Sequence, residues 1–268
     1  MKVKYVFVLV VYRNYTDLEN YLKTLNKNFK DYKAIVINSY YDDLSMNEIK
    51  RVSLENNAIF INASNEGYGA GNNKGIRYAI ENYDFEFLIV SNCDMDILKF
   101  DDSVLDSSKP YLYGPQINTL NGKNQNPYWS NDFNIGQRLM YRGFKKNKKF
   151  SLYLGIAMNK CFRLLSLFIT KIFPLKLKRC FGLHGSFLIY TKKAIEILGE
   201  PYDEEMFLFS EEAYLAHLAK QKGIKSFYTR KIKIKHFEDG SVSLIDTNGI
   251  EAKSYIHFYK QFHRVKEK

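Results

Sequence analysis

Two pairs of carboxylates have positions that suit metal binding and proton transfer. Asp94 and Asp96 come just after the apolar segment FEFLIVSN (85–92), and Glu211 and Glu212 begin a helical pattern. Oxygen ligands in such a pair can hold Mg²⁺ or Mn²⁺, and these ions commonly bridge to substrate phosphates. A positioned carboxylate can also remove the proton of a hydroxyl nucleophile. Structural explanations stay open for both pairs, because Asp residues cap turns and Glu residues favour a helix N-terminus.

A third feature is the glycine run NEGYGAGNNKG at residues 65–75, which holds four of the chain's 15 glycines. Glycine costs about 0.5–1 kcal/mol inside a regular element, so the run predicts a sharp turn or a close approach of a ligand. Its spacing matches neither the dinucleotide-binding pattern GxGxxG nor the phosphate-binding loop GxxxxGK[ST]. The surrounding elements therefore have to indicate what approaches this backbone.

Strand and helix patterns alternate through the first 100 residues. Four apolar segments predict strands, at 3–11, 33–38, 58–62 and 85–92. Helical spacing follows the first three, at 16–25 with Thr16 as the cap, at 45–56, and from the glycine run to about residue 83. This order predicts an α/β protein with a Rossmann-like, mostly parallel sheet and helices on both faces. The glycine run and the Asp94–Asp96 pair then share the carboxyl edge of the sheet, where ligands of open α/β sheets bind.

The second half of the chain has less regular patterns. They predict a loop at 119–135, a strand at 185–191, a helix at 210–223 ending at Gly223, short strands at 225–229 and 231–236, and a last helix at 250–265. Within the basic segment 136–180, the apolar stretch from Phe162 to Phe173 is interrupted by Arg163 and Lys171. That pattern predicts an amphipathic surface helix and not a membrane span.

The formal charge of +11 is concentrated in one internal region. Residues 133–195 contain 14 Lys and Arg and no Asp or Glu, whereas the rest of the chain has a net charge of −3. Two interpretations are open: a solvated basic face, or a surface for an anionic partner. The absence of any acid over so long a region favours the anionic partner.

The composition limits the size of the domain, the kinds of cysteine site and the compartment in which the protein works. The chain has 268 residues, 46% of them hydrophobic, which is ample for a large single domain. Its three cysteines have no close pair spacing, so neither a disulfide framework nor a zinc site is indicated, and a reducing compartment is favoured. The N-terminal apolar run is too short for a transmembrane helix and predicts a buried first strand.

Four sequence blocks, taken in order, resemble the family 2 glycosyltransferases of the GT-A fold, a group that includes bacterial capsule, O-antigen and cell-wall sugar transferases. The blocks are the glycine run (65–75), SNCDMD (91–96), the segment 182–223 and KIKHFEDGS (233–241). A dinucleotide-binding oxidoreductase is a weaker match, because its glycine loop follows the first strand and not the third. The resemblance implies one domain over 1–268, with a nucleotide-sugar half at 1–100, an acceptor half at 101–241 that includes the basic segment, and a C-terminal helix at 242–268.

The resemblance assigns the nucleotide sugar to the ends of the first strands and to the glycine run. Val11-Tyr12 and Asn38-Ser39 match the positions that hold base and ribose. Most members have Asp in place of Asn38, whose amide oxygen can still accept a hydrogen bond from a uracil or thymine N3–H. The further matches on the donor side are Asn65, Gly67, Asn73 and Asn92.

The same resemblance implies a divalent metal, Mn²⁺ or Mg²⁺. The family's acidic motif matches Asn92-Cys93-Asp94, which makes Asp94 a metal ligand, with Asp96 as an additional carboxylate. His236 matches a late histidine found near the metal and the diphosphate in related enzymes. A purely structural role for His236 stays open.

The remaining matches concern catalysis and the acceptor. Glu211-Glu212 match the family's Glu-Asp pair, and Glu212 lies at the position of the general base. In an inverting transfer, the acceptor hydroxyl attacks the anomeric carbon while the base takes its proton and the metal offsets charge on the leaving diphosphate. Three residues match the border of the acceptor site: His184, Gly185 and Ser186.

Together these matches imply transfer of a single sugar from a UDP- or dTDP-sugar to a saccharide, with a lipid-diphosphate-linked acceptor in surface polysaccharide synthesis. Since the chain lacks a QxxRW block, it does not resemble the processive synthases. The expected location is cytoplasmic and peripheral, at an anionic inner face of the bacterial plasma membrane. The alternatives are a non-catalytic sugar-nucleotide-binding relative and a nucleic-acid-binding protein that uses the basic segment, although no recognised nucleic-acid module is present.

Overall fold

A mixed β-sheet with helices packed on both faces forms the centre of the molecule. The computed structural model describes residues 1–172, 175–238 and 249–264. The first part of the chain forms β1 (Lys2–Val11), α1 (Tyr15–Asn28), β2 (Tyr32–Ser39), α2 (Asp43–Glu55), β3 (Ile59–Ala63), α3 (Tyr68–Asn82), β4 (Asp84–Ser91) and β5 (Met95–Phe100). The second part forms β6 (Tyr111–Thr119), α4 (Asn134–Lys145), α5 (Lys149–Ile172), β7 (Lys178–Cys180), β8 (Phe187–Thr191), α6 (Lys192–Leu198), α7 (Glu211–Gln221), β9 (Lys225–His236) and α8 (Ile250–Phe262).

The sheet has two halves of different character. Strands β3, β2, β1 and β4 lie side by side and are all parallel, as the alternating pattern predicts. Beyond β4 the order continues β8, β6, β9 and β5, and every pair there is antiparallel except β6 with β9. The predicted α/β class is confirmed, and the parallel half places the ends of β1, β2 and β4 at one edge.

The core lies on both faces of the sheet, because successive side chains of a strand point to opposite sides. In β1, Phe7 and Leu9 pack in one cluster with α1 and α2, whereas Val6 and Val8 pack in a second cluster with α3. All four side chains are fully buried. The uninterrupted apolar sequence of β1 is therefore that of a strand covered on both faces.

The glycine run is used mainly to bring α3 close to the sheet. Helix α3 begins directly after Gly67, so Gly69, Gly71 and Gly75 all lie inside the helix. A Cβ on Gly75 would lie 2.4 Å from Val8 Cγ1, and one on Gly71 would lie 3.0 Å from the Val10 side chain. The close approach predicted for the run is therefore an approach to the sheet at Gly71 and Gly75, whose missing side chains make room for β1, whereas Gly69 lies against Tyr202.

Several predicted elements differ in detail. Helix α1 begins before Thr16, because Asn14 is the cap and its Oδ1 accepts from the Asp17 amide at 3.1 Å. The two short strands predicted at 225–236 form the single strand β9, with a register shift opposite Pro115 and Gln116 that accommodates the extra residues. Strand β6 was not predicted from the sequence, because Gly114-Pro115 interrupts its apolar pattern. Glycine and proline occur in strands mainly at bends and bulges.

Helices α4 and α5 form an antiparallel hairpin that packs through small residues. A Cβ on Gly155 would lie 2.6 Å from the Gly136 carbonyl oxygen, and one on Gly143 would lie 2.6 Å from Leu152 Cβ. Only Gly155 and Thr170 of the 24 residues of α5 are buried. By length and composition alone, α5 is the one helix in the described part of the chain that could cross a bilayer.

Candidate active site

A cavity of about 680 Å³ opens at the carboxyl edge of the parallel strands. Val11 lies at the end of β1, Ser39 at the end of β2, and Asn92 and Asp94 directly follow β4. Most residues predicted from the sequence meet here although they are far apart in the chain. The predicted residues that line the cavity are Val11, Tyr12, Asn65, Gly67, Asn92, Asp94, His184, Gly185, Ser186, Glu211, Glu212 and His236.

Three predicted residues are not among those that line the cavity. Asn38 donates through Nδ2 to Asn62 Oδ1 at 2.7 Å, and its own Oδ1 is buried without a partner among the described residues. Asn73 is fully buried and holds the backbone of Tyr202, with hydrogen bonds of 2.9 and 3.3 Å to its carbonyl oxygen and amide. Asp96 lies within β5, away from the cavity lining. Asn38 and Asn73 are thus held by other residues of the protein, and all three side chains stay outside the cavity lining.

The pair Asp94 and His236 is the candidate metal centre. Strands β5 and β9 pair with Met95 opposite His236, so the ladder itself places Asp94 beside the histidine. Asp94 Oδ2 lies 3.2 Å from His236 Nε2, and both side chains are buried.

Gln125 determines which nitrogen of His236 faces the carboxylate. Its Nε2 donates to Glu238 Oε1 at 3.0 Å, so its Oε1 is the atom that lies 2.7 Å from His236 Nδ1. Nδ1 must therefore be the donor of that bond, and in the neutral ring Nε2 is an acceptor directed at Asp94 Oδ2. Such an arrangement of metal-directed histidines, with the second nitrogen donating to an oxygen, is the usual one.

Two acceptor atoms in contact are favourable only when a proton or a cation lies between them. Two ligand atoms bound at about 2.1 Å to one octahedral ion are about 3 Å apart, so the Asp94–His236 pair fits Mn²⁺ or Mg²⁺. No group of three or more His, Cys, Asp or Glu side chains suited to a metal is present within the described ranges. The pair is sufficient for ions of this kind, which usually keep several waters and bind through few protein ligands together with substrate phosphates.

The second carboxylate pair begins α7, opposite the metal candidates. Phe209 and Ser210, directly before it, both have a φ of 71°, a left-handed conformation that is strained for residues other than glycine. This turn directs Glu211 and Glu212 into the cavity. Glu212 Oε1 accepts from the Gly185 amide at 3.2 Å, whereas Glu211 Oε1 is buried without a partner among the described residues.

The two buried glutamates differ in how readily they lose their protons. It raises the pKa of Glu211 to about 8, with repulsion from Glu212 adding to the shift, and it also raises the pKa of Glu212. The Gly185 amide stabilises an anion on Glu212, whereas Glu211 has no comparable donor at Oε1. Of the two, Glu211 is therefore the group that retains its proton to higher pH, and Glu212 is the one whose anion is stabilised.

This protonation state predicts that Glu211→Gln stabilises the fold at neutral and alkaline pH. Between the ordinary carboxyl pKa and about 8, the unfolded chain releases a proton that folded Glu211 retains, so the free energy of unfolding of the wild type falls as pH rises. Glutamine removes this loss. We expect the Tm advantage of the variant to grow by roughly 5 °C between pH 5 and pH 8.

Circular dichroism melts at pH 5, 6.5 and 8 measure this difference. Glu81→Gln, an exposed change on α3, is the matched control and should show no pH-dependent difference. A Tm difference for Glu211→Gln that is the same at all three pH values would contradict a buried, protonated Glu211.

The residues predicted to border the acceptor site are also ordered by buried hydrogen bonds. His184 Nδ1 accepts from the Ser186 amide at 3.3 Å and contacts Ser186 Oγ at 2.8 Å, while Asn126 Oδ1 accepts from the His184 amide at 2.8 Å. Burial lowers the pKa of His184 to about 3, and the nearby positive charge of Arg163 adds to the shift. His184 is therefore a neutral ring with its proton on Nε2.

Sequence patterns missed several residues that build the site. Tyr68 Oη lies 3.0 Å from Asn92 Oδ1 and 3.2 Å from the Gly185 carbonyl oxygen, so it links the β4 end to the acceptor side. Tyr68 lies inside the glycine run, and the only sequence feature that could have identified it is that it is an aromatic residue among glycines. Gln125 lies in the aperiodic stretch 119–135, which carries no pattern that marks it. Phe207 also lines the cavity, and a Cβ on Gly67 would lie 2.3 Å from its carbonyl oxygen.

No protein-family model and no curated protein sequence matches the chain. Among solved structures, the chain is similar to GalNAc-T7 with UDP, GalNAc and Mn²⁺, at a TM-score of 0.63 and 12% identity over 96% of this chain and 48% of that one. It thus spans about half the length of that protein.

Two further structures have the same architecture. S. aureus TarS 1-349 in complex with UDP has a TM-score of 0.52 and 13% identity, over 85% of this chain and 60% of that one. The mannosyltransferase PcManGT from Pyrobaculum calidifontis, in complex with GDP-Man and Mn²⁺, has a TM-score of 0.52 and 10% identity, over 96% and 70%. At such identities the likeness concerns the fold, and the fold resemblance stated from the sequence is confirmed: the chain has the fold of the GT-A glycosyltransferases.

Proposed function

We propose that this protein is an inverting, metal-dependent glycosyltransferase that moves a single sugar from a nucleoside-diphosphate sugar to a saccharide acceptor. The proposal rests mainly on the contents of one cavity. It holds Asp94 and His236, which are placed to bind a metal ion together, and the buried pair Glu211 and Glu212 at the start of α7. Similar folds crystallised with UDP, GDP-Man or Mn²⁺ support it.

The donor nucleotide fits the part of the cavity formed by the parallel strands. We assign base and ribose to Val11, Tyr12 and Ser39, and the sugar to Asn65 and Asn92, all of which line the cavity. Asn38 and Asn73 stabilise this half through hydrogen bonds outside the cavity lining. The division into a donor half at 1–100 and an acceptor half at 101–241 follows from these assignments, with UDP or dTDP as the nucleotide.

Asp94 and His236 would hold the divalent ion, which offsets negative charge on the leaving diphosphate when it is bound. Glu212 accepts the proton of the acceptor hydroxyl, which raises the nucleophilicity of that oxygen. The Gly185 amide orients the Glu212 carboxylate, and Tyr68 in turn fixes the Gly185 carbonyl. Attack from the Glu212 side, opposite the diphosphate, inverts the anomeric centre.

We further propose that the acceptor is linked to lipid and that the protein is peripheral at an anionic membrane surface, as in synthesis of bacterial capsule or other surface polysaccharides. Many apolar side chains of α5 are exposed, and Phe150, at its start, is 81% exposed. Five exposed cations directly precede or begin the helix: Arg142, Lys145, Lys146, Lys148 and Lys149. Such a combination is typical of helices that lie in the membrane interface.

Liposome sedimentation tests the membrane proposal. Basic residues near an anionic surface contribute on the order of 1 kcal/mol each, so changing the five cations to Ser should weaken binding by roughly 100-fold or more. Binding should require anionic lipid and weaken with salt. Turnover on a short water-soluble acceptor should survive.

The matched control for that experiment removes five exposed lysines elsewhere on the surface: Lys2, Lys27, Lys30, Lys50 and Lys99. It has the same net charge as the test variant and should bind nearly as well as the wild type. Equal binding to neutral and anionic liposomes, or the same loss in both variants, would contradict the assignment of the membrane surface to α4 and α5.

Release of nucleoside diphosphate from a panel of sugar nucleotides tests the enzymatic proposal. We expect Mn²⁺-dependent release from one UDP- or dTDP-sugar, slowly with water and faster with the correct acceptor. Binding of a sugar nucleotide without any release under all conditions would favour the non-catalytic alternative. Neither binding nor release with any member of the panel would refute the proposal.

A further inference from the structure

Arg163, on α5, forms a hydrogen bond with Gln125, a residue that lines the candidate active site. It is half-buried on the inner side of a helix that is otherwise largely exposed. Its Nη1 donates to the Gln125 carbonyl oxygen at 3.4 Å, which is a long bond, and its Nε is buried without a partner among the described residues. The guanidinium therefore retains unused donor capacity at this position.

No carboxylate balances this charge. Within residues 1–172, 175–238 and 249–264, Arg163 forms no ion pair with any Asp or Glu, and it lies in the 63-residue region that contains no acids. Burial lowers its pKa, as expected for a cation moved out of water without a counter-ion. A half-buried, unpaired guanidinium is unfavourable unless an anion completes its surroundings.

The surroundings of Arg163 place it on the acceptor side of the cavity. Gln125, which accepts from Arg163 through its backbone, holds His236 through its side chain. Tyr128 is close enough to Arg163 and Glu212 for both charges to affect the pKa of its hydroxyl group. Its ring centroid is 6.4 Å from that of His184. The strand ends assigned to the nucleotide belong to the other half of the sheet.

We propose that Arg163 binds a phosphate group of the acceptor, and that this phosphate is attached to an apolar chain that lies along α5. The exposed Leu164 is next to Arg163, and Leu165 and Phe168 lie farther round the same helix, on its outer side. An amphiphile whose anionic group is at the guanidinium would lead its chain past Leu164 to reach this apolar surface. Arginine suits the task because its planar fork of donors matches phosphate oxygens. The inference rests on the proposed function and names the chemistry of its acceptor.

Calorimetry with farnesyl diphosphate tests this assignment without requiring the true acceptor. The full chain is first saturated with UDP and Mn²⁺, which occupy the donor site, and the UDP titration reports separately on the proposed function. We expect Arg163→Gln to weaken farnesyl diphosphate binding by roughly 10–100-fold. Arg163→Lys should restore part of the affinity.

Lys160→Gln is the matched control, because it removes one charge from the exposed side of the same helix. It should change the affinity less than threefold, and farnesol, which lacks the phosphates, should bind equally to all variants. Inorganic pyrophosphate should bind more weakly than farnesyl diphosphate.

Three outcomes would overturn the proposal. Equal loss in the Arg163→Gln and Lys160→Gln variants would mean a general surface charge effect. Loss of UDP affinity in Arg163→Gln would assign the residue to the donor diphosphate. Pyrophosphate binding as tight as that of farnesyl diphosphate would refute the role of the apolar chain.

Discussion

Asp94→Ala removes metal-dependent donor binding and turnover. Asp94 is the carboxylate that lies within 3.2 Å of His236 Nε2 at the end of β4, so its loss leaves one neutral ligand for the ion. Charge stabilisation of a leaving diphosphate by a metal is worth several kcal/mol, and we expect kcat/KM to fall by roughly 10³-fold or more. Calorimetry with the donor, with and without Mn²⁺, should show that the variant no longer distinguishes the two conditions.

Asp96→Ala is the control for that experiment. Asp96 is two residues away and carries the same charge, but it lies outside the cavity lining. We expect the Asp96 variant to keep its Mn²⁺-dependent donor affinity. If it loses that affinity while Asp94→Ala keeps it, the metal assignment belongs to β5 and not to the end of β4.

Glu212→Gln should lower kcat by roughly 10²–10⁴-fold, the usual contribution of a positioned general base. Glutamine keeps the size of the side chain and can still accept from the Gly185 amide, so donor affinity should stay within a few-fold of the wild type. Single-turnover rates with saturating donor separate this chemical defect from weaker binding.

The pH profile provides a second measurement of the same role. Burial raises the pKa of Glu212, and a base must be ionised to act, so the rate of the wild type should fall as pH is lowered through that raised pKa. Glu211→Gln replaces a carboxyl group that retains its proton in this pH range, so the variant should keep most of its activity and the same acid limb. An inactive Glu211→Gln beside an active Glu212→Gln would reverse the assignment of the base.

Local patterns were sufficient to predict the parallel half of the sheet. The apolar run of β1 is buried on both faces, and such a sequence has few other stable arrangements. Once strands and helices alternate, the strands run parallel, and their carboxyl ends therefore lie at one edge. The cavity positions of Asn65, Asn92 and Asp94 follow from that rule alone, because each lies directly after a parallel strand.

The positions of His236 and Glu212 in the cavity were implied by family resemblance and not by any pattern. His236 reaches Asp94 because β9 pairs with β5, a contact between residues about 140 positions apart that no local spacing encodes. The same holds for Gln125, which lies in an aperiodic loop and orients the histidine ring. Long-range pairing energies decide such contacts, and they are properties of the whole fold.

Residue type alone does not tell whether a side chain binds a ligand or supports the fold. Asn73, which the resemblance assigns to the donor side, hydrogen-bonds the Tyr202 backbone, and Gly75 of the glycine run makes room for Val8. Buried polar groups need partners and close helix–sheet contacts need glycine, irrespective of any ligand. The sequence by itself therefore determined the α/β class, the edge that carries the site and the charge asymmetry. Only the tertiary structure decided which acids and histidines meet, and among the residues it describes it leaves Arg163 near them without an ion pair, because those outcomes depend on burial and on contacts between distant segments.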